Sequence, residues 1–238
     1  MSVIWHDLEC GSYSEDLELW RALVARHGEP VLDIGAGTGR VSLDLARRGH
    51  RVTALDLDAE LLDALSKRAD GLDVETVLAD AREFNLQTRF GTCVVAMQTI
   101  QLLGGPEGRS SFLRCAAQHL LGGGVIAIAL SAELETYDVA NGAHLPLPDI
   151  TEIDGIVYSS QPTAVRVADD GGFVLVRRRE EVSRDGVRLS LEDQIELDPL
   201  TARQLEREAR VLGLRAAGHE EIPPTRDYVG SSVVVLGV

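Results

Sequence analysis

The chain has 238 residues, of which 45% are hydrophobic, and its formal net charge is −15. This length and composition suit one packed α/β domain with a modest addition, and they exclude global disorder. Because nucleic-acid binding depends mainly on neutralising phosphates, the acidic balance weighs against DNA, RNA and anionic membranes as partners.

The first predicted helix precedes a short apolar strand. Ser14 is a suitable N-cap, and the helix is expected to end near His27, where Gly28 follows. Trp20 lies on its apolar side, so we expect this side chain in the core. The segment before this helix carries Tyr13.

The most informative stretch is Val31–Arg40, which reads Val-Leu-Asp-Ile-Gly-Ala-Gly-Thr-Gly-Arg. A short strand passes through Gly35, Gly37 and Gly39 into a helical pattern. These glycines let the backbone turn sharply and approach a ligand without Cβ clashes. The following helix points its free N–H groups at the same place. The pattern therefore predicts a cradle for a nucleotide-like cofactor.

Two further strands each end at an acid. The run Arg51–Leu55 is followed by Asp56, and the run Val74–Leu78 is followed closely by Asp80. An acid after the second strand can accept hydrogen bonds from both hydroxyls of a ribose. The strands Phe90–Met97 and Val125–Leu130 follow, with helical patterns between them. Strands that alternate with helices predict a doubly wound parallel sheet.

The pattern changes after the fifth strand. From about Ile153 to Leu197 the sequence alternates with a period of two and has a hairpin turn at Asp169–Gly172. We interpret it as a small antiparallel β lid with one covered face. The cluster Arg177–Arg179 within it is interpreted as a solvated strand edge. Thr201 then caps a last helix, and two strands close the chain. The expected domains are residues 1–150 with 198–238, and residues 151–197.

The pattern acid-x-Gly-x-Gly-x-Gly that begins at Asp33, together with Asp56 and the text Leu78–Phe84, resembles the class I S-adenosylmethionine-dependent methyltransferases of the small-molecule type. The resemblance implies a Rossmann-like methyltransferase sheet, S-adenosylmethionine as cofactor, and transfer of a methyl group to nitrogen or oxygen of a small molecule.

The resemblance also implies roles for individual residues. The three glycines line the methionine and ribose portions, Asp33 organises the turn, Asp56 accepts the ribose hydroxyls, and Leu57 flanks the adenine. Residues implied at the adenine amino edge are Asp80 and Ala81. Residues implied at the methionine end are Tyr13, Met97 and Gln98. For Gln98 and Gln101, the alternative is that they satisfy backbone groups in a tight loop.

Methyl transfer depends mainly on alignment, so the chain needs no catalytic motif. The loop after the fifth strand holds several titratable side chains: Glu133, Glu135, Tyr137, Asp138 and His144. His144 has a suitable ordinary pKa for a general base, and the alternative is a surface loop residue. No ligand spacing for a metal is visible, and we expect no metal site.

Two other functions stay open from the sequence. A nicotinamide-dependent oxidoreductase is opposed by Arg40, because its fingerprint requires a small residue there, and Asp80 also counts against it. A non-catalytic module that binds the cofactor and regulates a partner has no feature against it. The text Met97–Ile100 differs from the Asn/Asp-Pro-Pro-Tyr/Phe motif of some nucleic-acid base methyltransferases.

The compartment is predicted from cysteine usage and from the N-terminus. The three cysteines, Cys10, Cys93 and Cys115, are scattered and give no disulfide framework. The first residues lack the charged and apolar regions of a signal peptide. We therefore expect a cytoplasmic monomer or homodimer that acts on a small molecule without nucleic-acid or membrane partners.

Overall fold

The computed structural model describes residues 2–131, 134–144, 146–225 and 228–238. These residues form two compact units. The α/β unit comprises the described residues among 13–132 and 200–238, and the β unit comprises those among 1–12 and 133–199. The structure thus groups residues 2–12 and the described residues among 133–150 with the β unit, whereas from the sequence we expect them in the α/β domain.

The α/β unit contains five helices and seven strands among its described residues. In chain order they are α2 (Leu17–His27), β1 (Val31–Ile34), α3 (Arg40–Ala46), β2 (Val52–Asp56), α4 (Ala59–Arg68), β3 (Val74–Leu78), β4 (Phe90–Val95), α5 (Gly105–Gln118), β5 (Leu120–Leu130), α6 (Ala202–Val211), β11 (Arg215–Ile222) and β12 (Ser231–Gly237); the gaps in numbering belong to the β unit. A 3₁₀ turn, Thr99–Leu102, follows β4.

The seven strands form one sheet in the order β11-β12-β5-β4-β1-β2-β3. Strands β1 to β5 run parallel, while β12 is antiparallel to both β5 and β11. The predicted doubly wound α/β sheet is confirmed, including its closing antiparallel pair. All four residues of β1 are buried. A strand that is buried on both faces is expected to be apolar throughout, and in β1 only Asp33 is not.

Helices cover both faces of this sheet. On one face, Leu32 and Ile34 of β1 share a core with Phe112 of α5 and Leu205 of α6. On the other face, Val31 shares a second core with side chains of α2 and α3. Trp20 in α2 is fully buried in this second core, as predicted.

The start of α2 and the start of β5 differ from the predictions. Helix α2 begins at Leu17, because the Ser14 carbonyl accepts a turn hydrogen bond from Leu17 N–H and Asp16 occupies the N-cap position. Strand β5 begins at Leu120 and contains the three glycines that are expected, from the sequence, to precede it. Two predicted caps are confirmed, Asp58 at α4 and Thr201 with its capping box at α6.

The β unit contains helix α1 (Ser2–Cys10) and five strands: β6 (Tyr137–Asp138), β7 (Asp149–Ile153), β8 (Ile156–Val167), β9 (Phe173–Val182) and β10 (Arg188–Leu197). The strands form an antiparallel sheet in the order β10-β9-β8-β6, with β7 also paired to β8. The antiparallel β segment after the fifth strand is confirmed, but helix α1 is an addition to the predicted elements. Strand β7 explains why residues before 151 join this unit.

Two expectations for this sheet are wrong. The apolar residues of β10 and its turn are not covered, since Val187, Leu189 and Leu191 are 56%, 61% and 60% exposed. The arginine cluster is not a solvated edge, because β9 is an inner strand. There Arg177 pairs with Asp149 at 2.5 Å and Arg179 pairs with Glu9 at 2.7 Å.

Among the helices that the structure describes, none combines the length and the apolar character needed to cross a membrane.

Candidate functional site: a glycine-rich turn at the carboxyl ends of the parallel strands

The glycine-rich turn joins β1 to α3 and adopts backbone angles that favour glycine. Gly35, Gly37 and Gly39 have φ values of 69°, 55° and 95°, which lie in the left-handed region. A Cβ on Gly35 would lie 2.7 Å from the Thr99 side chain, and one on Gly39 would lie 2.7 Å from Leu65. The turn is thus narrow and packed, and only glycine fits at these two positions.

Asp56, at the end of β2, fixes the middle of this turn. Its Oδ2 accepts the Gly37 N–H at 2.7 Å, and its Oδ1 accepts the Asp58 N–H at 2.9 Å. A carboxylate has about four acceptor positions, so these two bonds leave Asp56 with further acceptor capacity. The predicted ribose-binding side chain is therefore held directly against the glycine turn.

Asp33 lies beneath the turn and is 1% exposed. The Ser42 hydroxyl, in α3, donates to its Oδ2 at 2.6 Å. Burial raises the pKa of Asp33 to about 6, and the Ser42 hydrogen bond and the Arg40 charge partly offset this effect. Asp33 therefore ties β1 to the first turn of α3, and its organising role at the cofactor stays a prediction.

Arg40, the first residue of α3, links the turn to the segment before α2. Its Nη2 donates to Asp16 Oδ2 at 2.8 Å, and its Nη1 contacts Asp16 Oδ1 and donates to the Tyr13 carbonyl at 3.1 Å. Trp20 Nε1 donates to the same Asp16 carboxylate at 2.8 Å. Both members of this ion pair are buried, with 9% and 1% of their side chains exposed.

This network places the Tyr13 ring beside the start of α3. The Arg40 guanidinium carbon lies 5.0 Å from the Tyr13 ring centroid. The ring centroids of Tyr13 and Tyr228 are 4.7 Å apart, and the two ring planes are tilted by 53°. Burial, reinforced by the Asp16 charge, raises the pKa of Tyr13 to about 12. The phenol therefore stays protonated at neutral pH and can donate a hydrogen bond.

Leu57 and Asp80 follow the ends of β2 and β3. The Leu57 side chain is 70% exposed although it is large and apolar. The Ala79 N–H donates to the Asp56 carbonyl at 3.0 Å, so the residues before Asp80 and Ala81 lie beside Asp56. The Asp80 carboxylate is held by Arg82, whose Nη2 donates to its Oδ2 at 2.6 Å. This hydrogen bond lowers the pKa of Asp80.

The segment after β4 lies against the first glycine through Thr99. Met97 has a φ of 55°, which is uncommon for a residue with a side chain. Gln98 Nε2 donates to the Ser131 hydroxyl at 3.0 Å. Gln101 is 1% exposed, and its amide donates to the Ser131 carbonyl at 3.1 Å and accepts the Ser131 N–H at 2.9 Å. For Gln101, the alternative of a backbone-satisfying role agrees with these contacts.

The loop candidates for a general base lie in the β unit, and Glu133 lies outside the described residues. His144 is exposed. Asp138 caps a short 3₁₀ turn through the Ala140 N–H at 2.8 Å and pairs with Arg166 at 2.9 Å. Both contacts of the Asp138 carboxylate are therefore structural. Across the described ranges, no group of three or more His, Cys, Asp or Glu side chains is placed to hold a metal ion.

The structure thus brings together Asp33, the three glycines, Asp56 and the Thr99 segment at one edge of the sheet. It places Tyr13 beside the same turn through Arg40. The sequence reasoning missed the Asp16–Arg40 pair and Tyr228. From the sequence, Arg40 serves only as an argument against a nicotinamide-binding fingerprint, and its contact with Asp16 is not predicted. The functional roles of the predicted side chains stay predictions.

The strand order and the glycine-rich turn match the fold of solved methyltransferase structures. Residues 31–124 match the model of a family described as a methyltransferase domain. Similarity to an amino pentose methyltransferase from Micromonospora echinaspora, solved with S-adenosylmethionine bound, extends over 99% of this chain and 97% of that one. The TM-score is 0.73 at 16% identity, which shows the fold.

Two curated relatives cover different shares of the chain. The cypemycin N-terminal methyltransferase of a Streptomyces species is 38% identical over 97 residues, which is 41% of this chain and 40% of the relative. Ribosomal RNA small subunit methyltransferase A of Deinococcus radiodurans is 28% identical over 200 residues, which is 69% of this chain and 64% of the relative. The chain therefore spans less than two thirds of both relatives.

Proposed function

We propose that the protein is an S-adenosylmethionine-dependent methyltransferase that acts on a nitrogen or oxygen of a small molecule. The observation that carries this proposal is the Asp56 carboxylate bound to the Gly37 N–H. It places a carboxylate that can accept further hydrogen bonds beside a turn whose glycines carry no side chains. A ribose with two adjacent hydroxyls fits such an acceptor.

The other residues of the site fit the same cofactor. Exposed Leu57 offers an apolar surface for a purine, and the buried Asp33 holds the turn in place. The protonated Tyr13 phenol can donate to the carboxylate of a methionine moiety. When bound, S-adenosylmethionine supplies an electrophilic methyl group on a sulfonium. The contribution of this chain is to bind and orient the two reactants and to exclude water.

Several observations favour a small amine-bearing acceptor. The Streptomyces relative is named as an N-terminal methyltransferase, and the Micromonospora protein is named as an amino pentose methyltransferase. The Deinococcus relative acts on RNA by its name. However, the charge of −15 opposes phosphate binding, and Met97–Ile100 lacks the base-methylation motif. We therefore keep RNA only as a control substrate. A cytoplasmic location stays a prediction from the sequence.

We assign the cofactor to the α/β unit and acceptor recognition to the β unit. The β unit holds a polar groove of about 400 Å³. Side chains that line this groove include Asp138, Thr163, Arg166, Arg178, Ser190 and Glu192. Its mixed charges suit a polar acceptor rather than a hydrocarbon. His144, which belongs to the β unit, stays the predicted general base.

The test is methyl transfer from isotope-labelled S-adenosylmethionine. The purified protein is incubated with a metabolite extract, with ribosomal RNA, and with neither, and the labelled product is identified by mass spectrometry. We expect label in a small amine or hydroxyl compound and none in RNA. Once the acceptor is known, Arg178→Ala should raise its KM and leave affinity for S-adenosylhomocysteine unchanged.

Two results would contradict the proposal. Thermal stabilisation by NADH but not by S-adenosylhomocysteine would favour the oxidoreductase alternative. Binding of S-adenosylhomocysteine without transfer to any component of a broad extract would favour a non-catalytic regulatory module.

A further inference from the structure

Strand β10 forms an open edge of the β-unit sheet. It pairs with β9 over ten residues without a register shift, and within the described part of the chain no strand pairs with its outer side. Every residue from Arg188 to Glu192 is exposed. A long regular edge strand presents unpaired N–H and C=O groups that can pair with another chain.

The other sheet edges are blunted by comparison. At the opposite side of the same sheet, β6 has two residues. In the seven-stranded sheet, the edge strand β3 has only five residues, and the other edge strand, β11, is interrupted by a register shift between Ala216 and Gly218. Strand β10 contains no proline, and its charged residues, which can protect an edge against a strand of like charge, are Arg188, Glu192, Asp193 and Glu196. Its regularity therefore sets it apart.

The side chains of β10 alternate between apolar and charged. Leu189 and Leu191 are about equally exposed, at 61% and 60%, and they lie between Arg188, Ser190 and Glu192. The two charged side chains make only exposed contacts in this chain. Arg188 lies 3.7 Å from Glu180, and Glu192 accepts the Gln194 amide at 2.9 Å. Such exposed contacts are weak, so both charges can engage a partner; Glu192 also lines the groove to which we assign acceptor recognition.

The hairpin between β9 and β10 determines which residues of β10 direct their N–H and C=O groups toward the open edge. The Ser183 N–H donates to the Val187 carbonyl at 3.0 Å across the turn to β9. Because hydrogen-bonded and non-hydrogen-bonded pairs alternate in an antiparallel ladder, residues 189 and 191 direct their backbone groups toward β9. Residues 188, 190 and 192 direct theirs toward the open edge. A second strand would have to bond to these even-numbered residues.

We propose that two copies of this chain form a two-fold dimer through antiparallel pairing of β10 with β10, with Ser190 opposite Ser190 of the second copy. This register places Arg188 opposite Glu192 of the second copy, and Leu189 opposite Leu191 of the second copy. Each pair occurs twice by symmetry. Opposite charges and apolar side chains are favourable cross-strand pairs.

Neighbouring registers lose this complementarity. The backbone requires even-numbered residues to face even-numbered residues, so only a few registers compete. Placing Leu189 opposite itself puts Arg188 against Ser190, and placing Leu191 opposite itself puts Arg188 against Gln194. Centring the pair on Glu192 puts Arg188 against Glu196, but it also sets Glu192 against its own copy, which is repulsive. The charges of β10 therefore select the register centred on Ser190.

The test measures the mass of the full chain by light scattering and sedimentation equilibrium from low to high micromolar concentration. We expect a dimer for the wild type. Arg188→Glu or Glu192→Arg alone converts two attractive pairs into two repulsive ones and should weaken the dimer about tenfold to a hundredfold. An equimolar mixture of these two variants should form a heterodimer, because opposite charges then face each other again.

Arg207→Glu on α6 makes the same charge change at an exposed residue of the α/β unit, and it should leave the dimer intact. Ser190→Pro removes a donor that points to the open edge and should also weaken the dimer, while circular dichroism checks the fold. A wild type that stays monomeric overturns the proposal, as does a dimer that neither charge variant weakens. Hydrogen exchange of the wild type gives an independent readout, because Ser190 and Glu192 amides must gain protection with concentration.

Discussion

Replacing Asp56 by alanine should weaken cofactor binding by a predictable amount. The carboxylate accepts the Gly37 N–H at 2.7 Å and the Asp58 N–H at 2.9 Å, and we propose that it also accepts the ribose hydroxyls. Hydrogen bonds to a charged acceptor contribute about 1.5–3 kcal/mol each. Loss of one such net contribution predicts a Kd for S-adenosylhomocysteine that rises about 10- to 150-fold.

The assay is isothermal titration calorimetry with S-adenosylhomocysteine, and Asp58→Ala is its matched control. Asp58 neighbours the same site but caps α4 through the Glu60 N–H at 2.8 Å. Its removal should cost about 1 kcal/mol of stability and leave the affinity almost unchanged. If Asp56→Ala binds S-adenosylhomocysteine as well as the wild type, Asp56 is not the ribose acceptor.

Two further predictions concern stability. Arg40→Gln removes the cation from the buried Asp16 carboxylate and should lower the free energy of unfolding by about 3–5 kcal/mol, measured in urea. Arg21→Gln, whose pair with Asp44 is more exposed, should cost far less, and equal losses would contradict the role of burial. Because burial raises the pKa of Asp33 from 3.8 to about 6, wild-type stability relative to Asp33→Asn should be greatest below pH 4 and fall by about 3 kcal/mol as the pH rises through 6. A stability difference that is constant between pH 4 and pH 8 would show that the Asp33 carboxyl titrates alike in the folded and unfolded chain.

The sequence predicts the parallel sheet well because each strand is short, apolar and followed by turn residues. The acids at strand ends and the alternating glycines are local signals, and parallel strands necessarily bring their carboxyl ends to one edge. The sequence alone therefore places Asp33, Gly37 and Asp56 near one another. It does not predict the hydrogen bond from Gly37 to Asp56, because that bond depends on the side-chain rotamer and the detailed turn geometry.

The structural features that escape prediction depend on contacts between distant parts of the chain. Helix α1 packs in the β unit through Trp5, whose ring lies 5.5 Å from that of Tyr158. Nothing in residues 2–10 alone signals this partner. Likewise, local sequence indicates only that Asp16 is a favourable charge in the first turn of α2. In the structure its carboxylate is bonded to Arg40 and Trp20, and the helix begins one residue later.

Arg40 shows why a residue that excludes one cofactor can also support another. Its size prevents the close approach that a nicotinamide fingerprint needs at this position. The same guanidinium holds Asp16 and covers the Tyr13 ring, so the side chain that closes one binding mode positions the aromatic group beside the glycine turn. Since Gly39 precedes it with a φ of 95°, the backbone can turn just before this bulky side chain. The order glycine-arginine at the start of α3 therefore lets the backbone turn tightly and then places a cation against Asp16 and Tyr13.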